Sequence, residues 1–158
     1  MELKAISLTL HLLSAVVWVG GMFFAYVILR PVAGQQFEPP QRLTLWVGVF
    51  KKFFPYVWLS VVLLPLTGYN LIFSNWGSIA AAPLYVHIMN GLGSLMILIY
   101  LHVFFAPYKR LTQAVAAEDW PTGGKKLNQI RILIAINLTI GLVVISLAAL
   151  GRYSSILI

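Results

Sequence analysis

The chain has 158 residues, of which 60% are hydrophobic and only 9% are charged. Soluble globular domains are about 25% charged, so the composition excludes a soluble domain and predicts a protein of the lipid bilayer. Cysteine is absent, which excludes disulfides, thiolate zinc sites and iron–sulfur clusters held by cysteine. The formal net charge is +7, but the basic residues lie between hydrophobic runs rather than along one helix face. The chain is therefore not expected to bind nucleic acid.

Four hydrophobic runs are long enough to cross a bilayer core of about 30 Å. They are Ala5–Leu29, Pro55–Phe73, Leu84–Phe105 and Ile132–Leu150. The predicted fold class is all-α: an integral membrane four-helix up-down bundle that forms a single membrane domain over residues 1–158. After the third span, Tyr108–Ala117 is predicted to prolong the helix, and Pro121–Gly124 is predicted to break it.

The basic residues between the spans predict how the bundle is oriented. The loops after the first and third spans hold nine of the 11 Lys and Arg residues, whereas the second loop holds none. The other two, Lys4 and Arg152, lie near the termini. Because positive charge concentrates in cytoplasmic loops, both long loops are predicted to be cytoplasmic and both termini to lie outside.

The segment Gln41–Phe54, in the first long loop, mixes aromatic and aliphatic side chains with Arg42, Lys51 and Lys52. This mixture suits an amphipathic helix that lies in the cytoplasmic interface, with its aromatic side chains toward the lipid and its cations toward water. A plain extension of the second span accommodates the same residues. Both interpretations stay open from the sequence.

The three histidines, His11, His87 and His102, all lie within predicted spans. Burial of an ionisable side chain in the membrane costs free energy, so each is a candidate functional residue; the ordinary alternative is a neutral imidazole at the interface. Spans one and three run parallel, and His11 and His87 lie level to within about one helical turn near their outer ends. These helices face each other diagonally in an up-down bundle. His11 and His87 are therefore a predicted ligand pair in the outer leaflet.

Small or weakly polar residues continue the helix face of each of these two histidines. At steps of three, four and seven residues, His11 is followed by Ser14, Ala15 and Trp18, and His87 by Asn90, Gly91 and Ser94. Such stripes let membrane helices approach each other closely. They equally leave room for a flat cofactor, which makes Ser14, Trp18, Asn90, Gly91 and Ser94 candidate cofactor contacts.

His102 lies 15 residues after His87, about 22 Å further along the third helix and in its cytoplasmic half. No second histidine lies at that depth. Three roles stay open for His102: a metal ligand of a further site, a proton relay, or a residue of the interface.

Haem b is the leading cofactor hypothesis, because it takes two axial imidazoles, an apolar slot and cations for its propionates. Lys4 and Arg152 lie at the outer end, where propionates would emerge, although each equally suits a side chain that extends to the interface. Copper is the alternative, since it accepts imidazole and thioether ligands and Met22 lies within the first span. A membrane subunit without a cofactor is the third hypothesis.

Short motifs follow one another in a specific order along nearly the whole chain. They are His11–Phe24, Leu29-Arg30-Pro31, Phe53-Phe54-Pro55, Thr67-Gly68-Tyr69, Tyr85-Val86-His87, Leu101–Tyr108 and Gly151-Arg152-Tyr153. In this order and spacing they resemble the CopD family of bacterial inner-membrane proteins. The resemblance implies an inner-membrane location and copper handling together with a periplasmic copper or redox partner.

The fold implied by this resemblance is also similar to that of small four-helix haem proteins, including the HemJ type of protoporphyrinogen oxidase. Histidines on the first and third helices matter in those proteins, and His11 and His87 are the matching positions, with His102 matching a further family histidine. The leading prediction is an inner-membrane protein that holds one haem b between His11 and His87 for electron transfer or haem-linked oxidation. Copper handling through the same histidines is the alternative.

Overall fold

The computed structural model describes residues 2–151 and contains four long helices. They are α1 (Glu2–Gln36), α2 (Pro39–Trp76), α3 (Leu84–Ala116) and α4 (Trp120–Gly151). Each helix is long and apolar enough to cross a membrane, and residues 2–151 include no β-strand. The predicted all-α four-helix membrane bundle is confirmed.

The up-down order of the helices gives the bundle two different ends. The end that carries the connections at residues 37–38 and 117–119 is called the two-loop end below. The opposite end, called the single-loop end, carries Glu2 and the connection at residues 77–83. Helix α1 packs mainly along α2 and α3 mainly along α4, while α4 also contacts α1 and α2.

The segment Gln41–Phe54 is the first part of α2 and not a separate helix at the membrane surface. Its apolar side chains recur at intervals of three and four residues, which places them on one helix face. The buried members of this face, each at most 4% exposed, are Leu43, Trp46, Phe50 and Phe54. The interfacial-helix alternative is wrong, because these side chains pack in the core of the bundle instead of facing lipid.

The third helix continues to Ala116, which confirms the predicted extension beyond the span. The sequence had predicted a helix break at Pro121–Gly124, and this prediction is wrong. The break between the third and fourth helices lies at residues 117–119. Pro121 lies in the first turn of α4, where the backbone N–H has no partner within the helix and its absence costs nothing. Proline at this position is therefore compatible with the fourth helix, which begins at Trp120.

Helices α1 and α3 each contain a π-helical turn toward the two-loop end, at Phe24–Leu29 and Phe104–Tyr108. A proline adjoins each turn: Pro31 follows the first, and Pro107 lies within the second. Proline cannot donate a backbone hydrogen bond, and its ring crowds the preceding turn. The wider π turn accommodates the proline without ending the helix.

The hydrophobic core is concentrated in the half of the bundle nearer the two-loop end. Aromatic rings of α2 and α3 surround Phe54, whose ring centroid lies 5.2 Å from that of Phe50, 5.6 Å from Tyr100 and 4.8 Å from Tyr108. Stacked and edge-to-face aromatic pairs stabilise a core beyond the effect of burial alone. This half therefore holds the helices together by side-chain packing.

Candidate functional site

The imidazole of His11 is held against α2 by a chain of hydrogen bonds. Its Nδ1 atom lies 2.8 Å from the Thr67 hydroxyl oxygen, which lies 2.6 Å from the Leu63 carbonyl oxygen. A carbonyl oxygen only accepts, so the hydroxyl of Thr67 donates its hydrogen to Leu63. In the neutral ring, the Nδ1–H group of His11 then donates to Thr67, which leaves the lone pair of the ring on Nε2.

Gly68 lets this ring approach α2 closely. A Cβ atom at position 68 would lie 3.2 Å from Cε1 of His11 and 3.7 Å from its Nδ1. The ring edge that carries Nδ1 thus occupies the space that a side chain would fill. Thr67 and Gly68 together fix the orientation of His11, and both belong to the Thr67-Gly68-Tyr69 motif.

His11 is one member of a polar seam between α1 and α2. Toward the single-loop end, the Ser7 hydroxyl donates to Oδ1 of Asn70 at 3.2 Å. Toward the middle of the bundle, the Ser60 hydroxyl lies 3.2 Å from the Ser14 carbonyl oxygen. Because polar groups in the bilayer interior need partners within the protein, these bonds fix the register of the two antiparallel helices. The term "polar seam" is kept below for these three contacts.

His87 occupies a different setting from His11. It is exposed on α3, and nine residues separate it from Met96, which is buried at 4% exposure. Nine residues at about 100° each amount to two and a half turns, so His87 lies on the face of α3 opposite Met96. Gly91 and Ser94 share this exposed face, whereas Asn90 is half-buried. The imidazole of His11 is oriented by a hydrogen bond, whereas that of His87 is exposed; that the two histidines bind a ligand, singly or as a pair, stays a prediction.

The remaining predicted contacts of a cofactor are dispersed. Lys4 is exposed, Ser14 belongs to the polar seam, and Arg152 lies outside the described residues. Trp18 is buried in the core, where its ring packs edge to face on Tyr100 with centroids 6.0 Å apart. Trp18 therefore serves the packing of the bundle and lies apart from the hydrogen bonds of His11.

The other predicted metal ligands are also separated from His11. His102 is exposed on α3. Met22 is buried in the core and lies 11 residues after His11, about 16 Å further along α1. Within residues 2–151, no group of three His, Cys, Asp or Glu side chains lies close enough to hold a metal ion.

A cavity of about 250 Å³ lies in the core, with Trp18, Phe53 and Tyr100 among its walls. Asn137 is the one polar amide among its lining residues and is 3% exposed. Its Nδ2 donates to the Met96 carbonyl at 3.4 Å, but its Oδ1 has no partner within the described chain. The sequence reasoning did not single out Asn137, although an amide within the Ile132–Leu150 span was a visible signal.

One family model, described as CopD: Copper resistance protein D, matches residues 47–150. This match covers more than half of the chain and includes Thr67, Gly68, His87 and His102, while His11 precedes it. No curated protein and no solved structure gave a significant match. The chain belongs to the CopD family, as its motifs had indicated.

Proposed function

We propose that this CopD-family protein handles copper in the bacterial inner membrane, with Nε2 of His11 as the ligand that anchors the metal. The observation that carries the proposal is the hydrogen-bond chain from His11 through Thr67 to the Leu63 carbonyl. A neutral imidazole is a suitable ligand for copper. In metal sites, the second ring nitrogen of such a ligand commonly donates to a neighbouring acceptor, which fixes the tautomer and the direction of the lone pair.

The copper reaches His11 from the periplasmic side in this proposal. Basic residues lie at the two-loop end, which corresponds to the cytoplasmic face, and His11 lies in the opposite half. A copper ion presented by a periplasmic partner exchanges one donor ligand for Nε2 of His11, with no change of oxidation state. The remaining ligands come from that partner during transfer.

Haem b fits the described residues less well than copper. Nε2 of His11 is suitable as one axial ligand, but a bis-histidine site needs a second imidazole on the same cavity. His87 lies on the face of α3 opposite the buried Met96. Moreover, the core cavity of about 250 Å³ is lined by Trp18 and Phe53 and by none of the histidines.

The experiment is a competition titration of the purified protein in detergent with Cu(I) and a chromophoric chelator, in the presence of free methionine, whose thioether stands in for the partner's ligands. We expect His11→Ala to abolish the competition and His102→Ala, which alters an exposed histidine, to leave it unchanged. Thr67→Val keeps the shape of the side chain but removes the acceptor of Nδ1–H, and we expect affinity to fall by about 10- to 100-fold. Circular dichroism shows whether each variant is folded.

Two results would overturn the proposal. One is unchanged copper affinity in a folded His11→Ala variant. The other is an optical Soret band in the protein purified from haem-replete cells, lost in both His11→Ala and His87→Ala, which would establish the bis-histidine haem instead.

A further inference from the structure

Three arginines from three different helices line one pocket at the two-loop end of the bundle. Arg30 belongs to α1, Arg42 to the first turns of α2, and Arg131 to α4. The pocket has a volume of about 430 Å³ and also includes Tyr26 and Gly34 in its lining. This set is called the arginine pocket below. From the sequence, the same residues had indicated only the orientation of the bundle.

Local structure directs two of these guanidinium groups, those of Arg30 and Arg131, into the pocket. Arg30 directly follows the π turn of α1, and its guanidinium carbon lies 4.9 Å from the centroid of the Tyr26 ring. This distance is typical of a cation–π contact, which holds the side chain over the ring. On α4, Ile130 is fully buried, and this anchor sets the rotation that directs the neighbouring Arg131 into the pocket. A Cβ atom at Gly34 would have no neighbouring atom within 4 Å, so the pocket is open on the side that Gly34 lines.

The arginine pocket holds positive charge that none of its described lining residues balances. None of the seven lining residues is acidic. Arg131 is half-buried, and its Nε is shielded from solvent and makes no hydrogen bond to another described residue. Like charges that converge in a partly desolvated site repel one another. An anion in the pocket removes this repulsion and supplies the missing acceptor.

Orientation of the bundle alone does not require this arrangement. Lys51, Lys52, Lys109 and Lys125 lie toward the same end, and all four are exposed. They satisfy the bias of positive charge toward one side of the membrane without entering a pocket. The three arginines differ from these lysines because they converge.

We propose that the arginine pocket binds a phosphate group, with Arg30, Arg42 and Arg131 as its ligands. Each guanidinium is a planar fork of N–H donors that matches the oxygens of a phosphate. A tetrahedral phosphate has more oxygens than a carboxylate, and they point in more directions. It therefore accepts hydrogen bonds from three guanidinium groups that approach from different helices. Because the pocket lies at the end of the membrane-spanning segments, the phosphate belongs either to an anionic phospholipid or to a soluble phosphate compound.

The test uses the full-length protein in detergent and measures binding by the shift of its thermal unfolding temperature. The probes are phosphatidylglycerol, phosphatidylcholine and inorganic phosphate, each titrated separately. We expect phosphatidylglycerol or inorganic phosphate to raise the unfolding temperature saturably, and phosphatidylcholine, which has no net charge, to have a much weaker effect. Saturation by phosphatidylglycerol alone assigns the site to a lipid headgroup, and saturation by inorganic phosphate assigns it to a soluble compound.

Matched variants separate the pocket from general surface charge. Arg131→Gln and Arg30→Gln should each weaken the binding at least tenfold, whereas Lys52→Gln and Lys125→Gln, which remove the same charge from exposed positions, should leave it unchanged. Arg131→Lys keeps the charge but loses the fork, so it should give an intermediate affinity and serves where the glutamine variant does not fold. Equal losses in the arginine and lysine variants would overturn the proposal, as would the absence of saturable binding of either anion.

Discussion

The two halves of this bundle are held together by different interactions. Near the two-loop end, large aromatic side chains such as Phe50, Phe54 and Tyr100 pack into a continuous core. Near the single-loop end, the polar seam joins α1 to α2 through hydrogen bonds. Packing of apolar side chains makes the interface between helices rigid but involves no polar or ionisable groups. The hydrogen bonds of the polar seam, in contrast, orient groups of that kind. The difference indicates that stability resides mainly in one half and the orientation of polar side chains in the other.

The largest loss of stability should follow from Phe54→Ala. Phe54 is 4% exposed and contacts rings on both α2 and α3, so its truncation leaves a cavity and should lower the free energy of unfolding by about 3–5 kcal/mol. Tyr56→Ala is the matched control. Tyr56 is 61% exposed, so its truncation should lower the free energy of unfolding much less. Unfolding in mixed micelles by a denaturing detergent measures both. Equal losses would contradict the assignment of stability to the aromatic core.

A smaller change of opposite sign is expected from Asn137→Leu. The Oδ1 atom of Asn137 is buried beside the core cavity with no partner in the described chain. Replacing a partly unsatisfied polar group by an apolar one of similar shape should raise the free energy of unfolding by about 1 kcal/mol. The same detergent unfolding measurement checks it. A loss of stability would show that the amide has a partner, such as an ordered water or a ligand in the cavity.

The polar seam should contribute less to stability than the core. A double-mutant cycle between Ser7→Ala and Asn70→Ala should give a coupling energy of about 0.6 kcal/mol, the average for hydrogen bonds within a membrane protein. Neither variant removes His11, the proposed copper ligand, so copper affinity should change far less than in His11→Ala. A coupling energy as large as the loss in Phe54→Ala would remove the contrast between the two halves.

The smallest effect concerns the start of α4, outside the spans. Hydrogen bonds from Thr122 hold the pKa of the Asp119 carboxyl below its ordinary value. A lowered pKa stabilises the folded state above the unfolded-state value, and this contribution is lost as the pH falls through the folded-state pKa. The stability advantage over Asp119→Ala should therefore be present at neutral pH and fade in acid. Thermal unfolding of both proteins at neutral and at acidic pH measures this difference in stability. A difference that increased in acid would contradict the hydrogen bonds from Thr122 as its cause.

The four helices were predictable from the sequence because the thickness of the bilayer sets the length of an apolar span. The continuity of α2 through Gln41–Phe54 was not predictable from the sequence. The side chains of this segment suit either lipid or protein as their apolar surroundings. Between the third and fourth helices, Pro121 was predicted to break the helix but lies in the first turn of α4. The prediction failed because proline occurs both after the ends of helices and in their first turns.

The site was predictable only in part. His11 was identified because a histidine in an apolar span is conspicuous, but its contact with Thr67 depends on how α1 and α2 are rotated about their axes. Helical periodicity likewise showed that His87, Gly91 and Ser94 share a face, yet it did not show that this face is exposed. The convergence of Arg30, Arg42 and Arg131 depends on contacts between distant parts of the chain, which residue spacing does not reveal.

The copper loading proposed for His11 has an energetic consequence that follows from the tautomer of the ring. In the neutral ring, the hydrogen bond to Thr67 favours the tautomer with its one proton on Nδ1, and Nε2 is the open position. A metal ion that binds at Nε2 displaces no proton from this histidine. The charge brought into the membrane is then the charge of the ion itself. Loading at this ligand should accordingly respond to the transmembrane voltage, in proportion to the fraction of the field that lies between His11 and the aqueous phase.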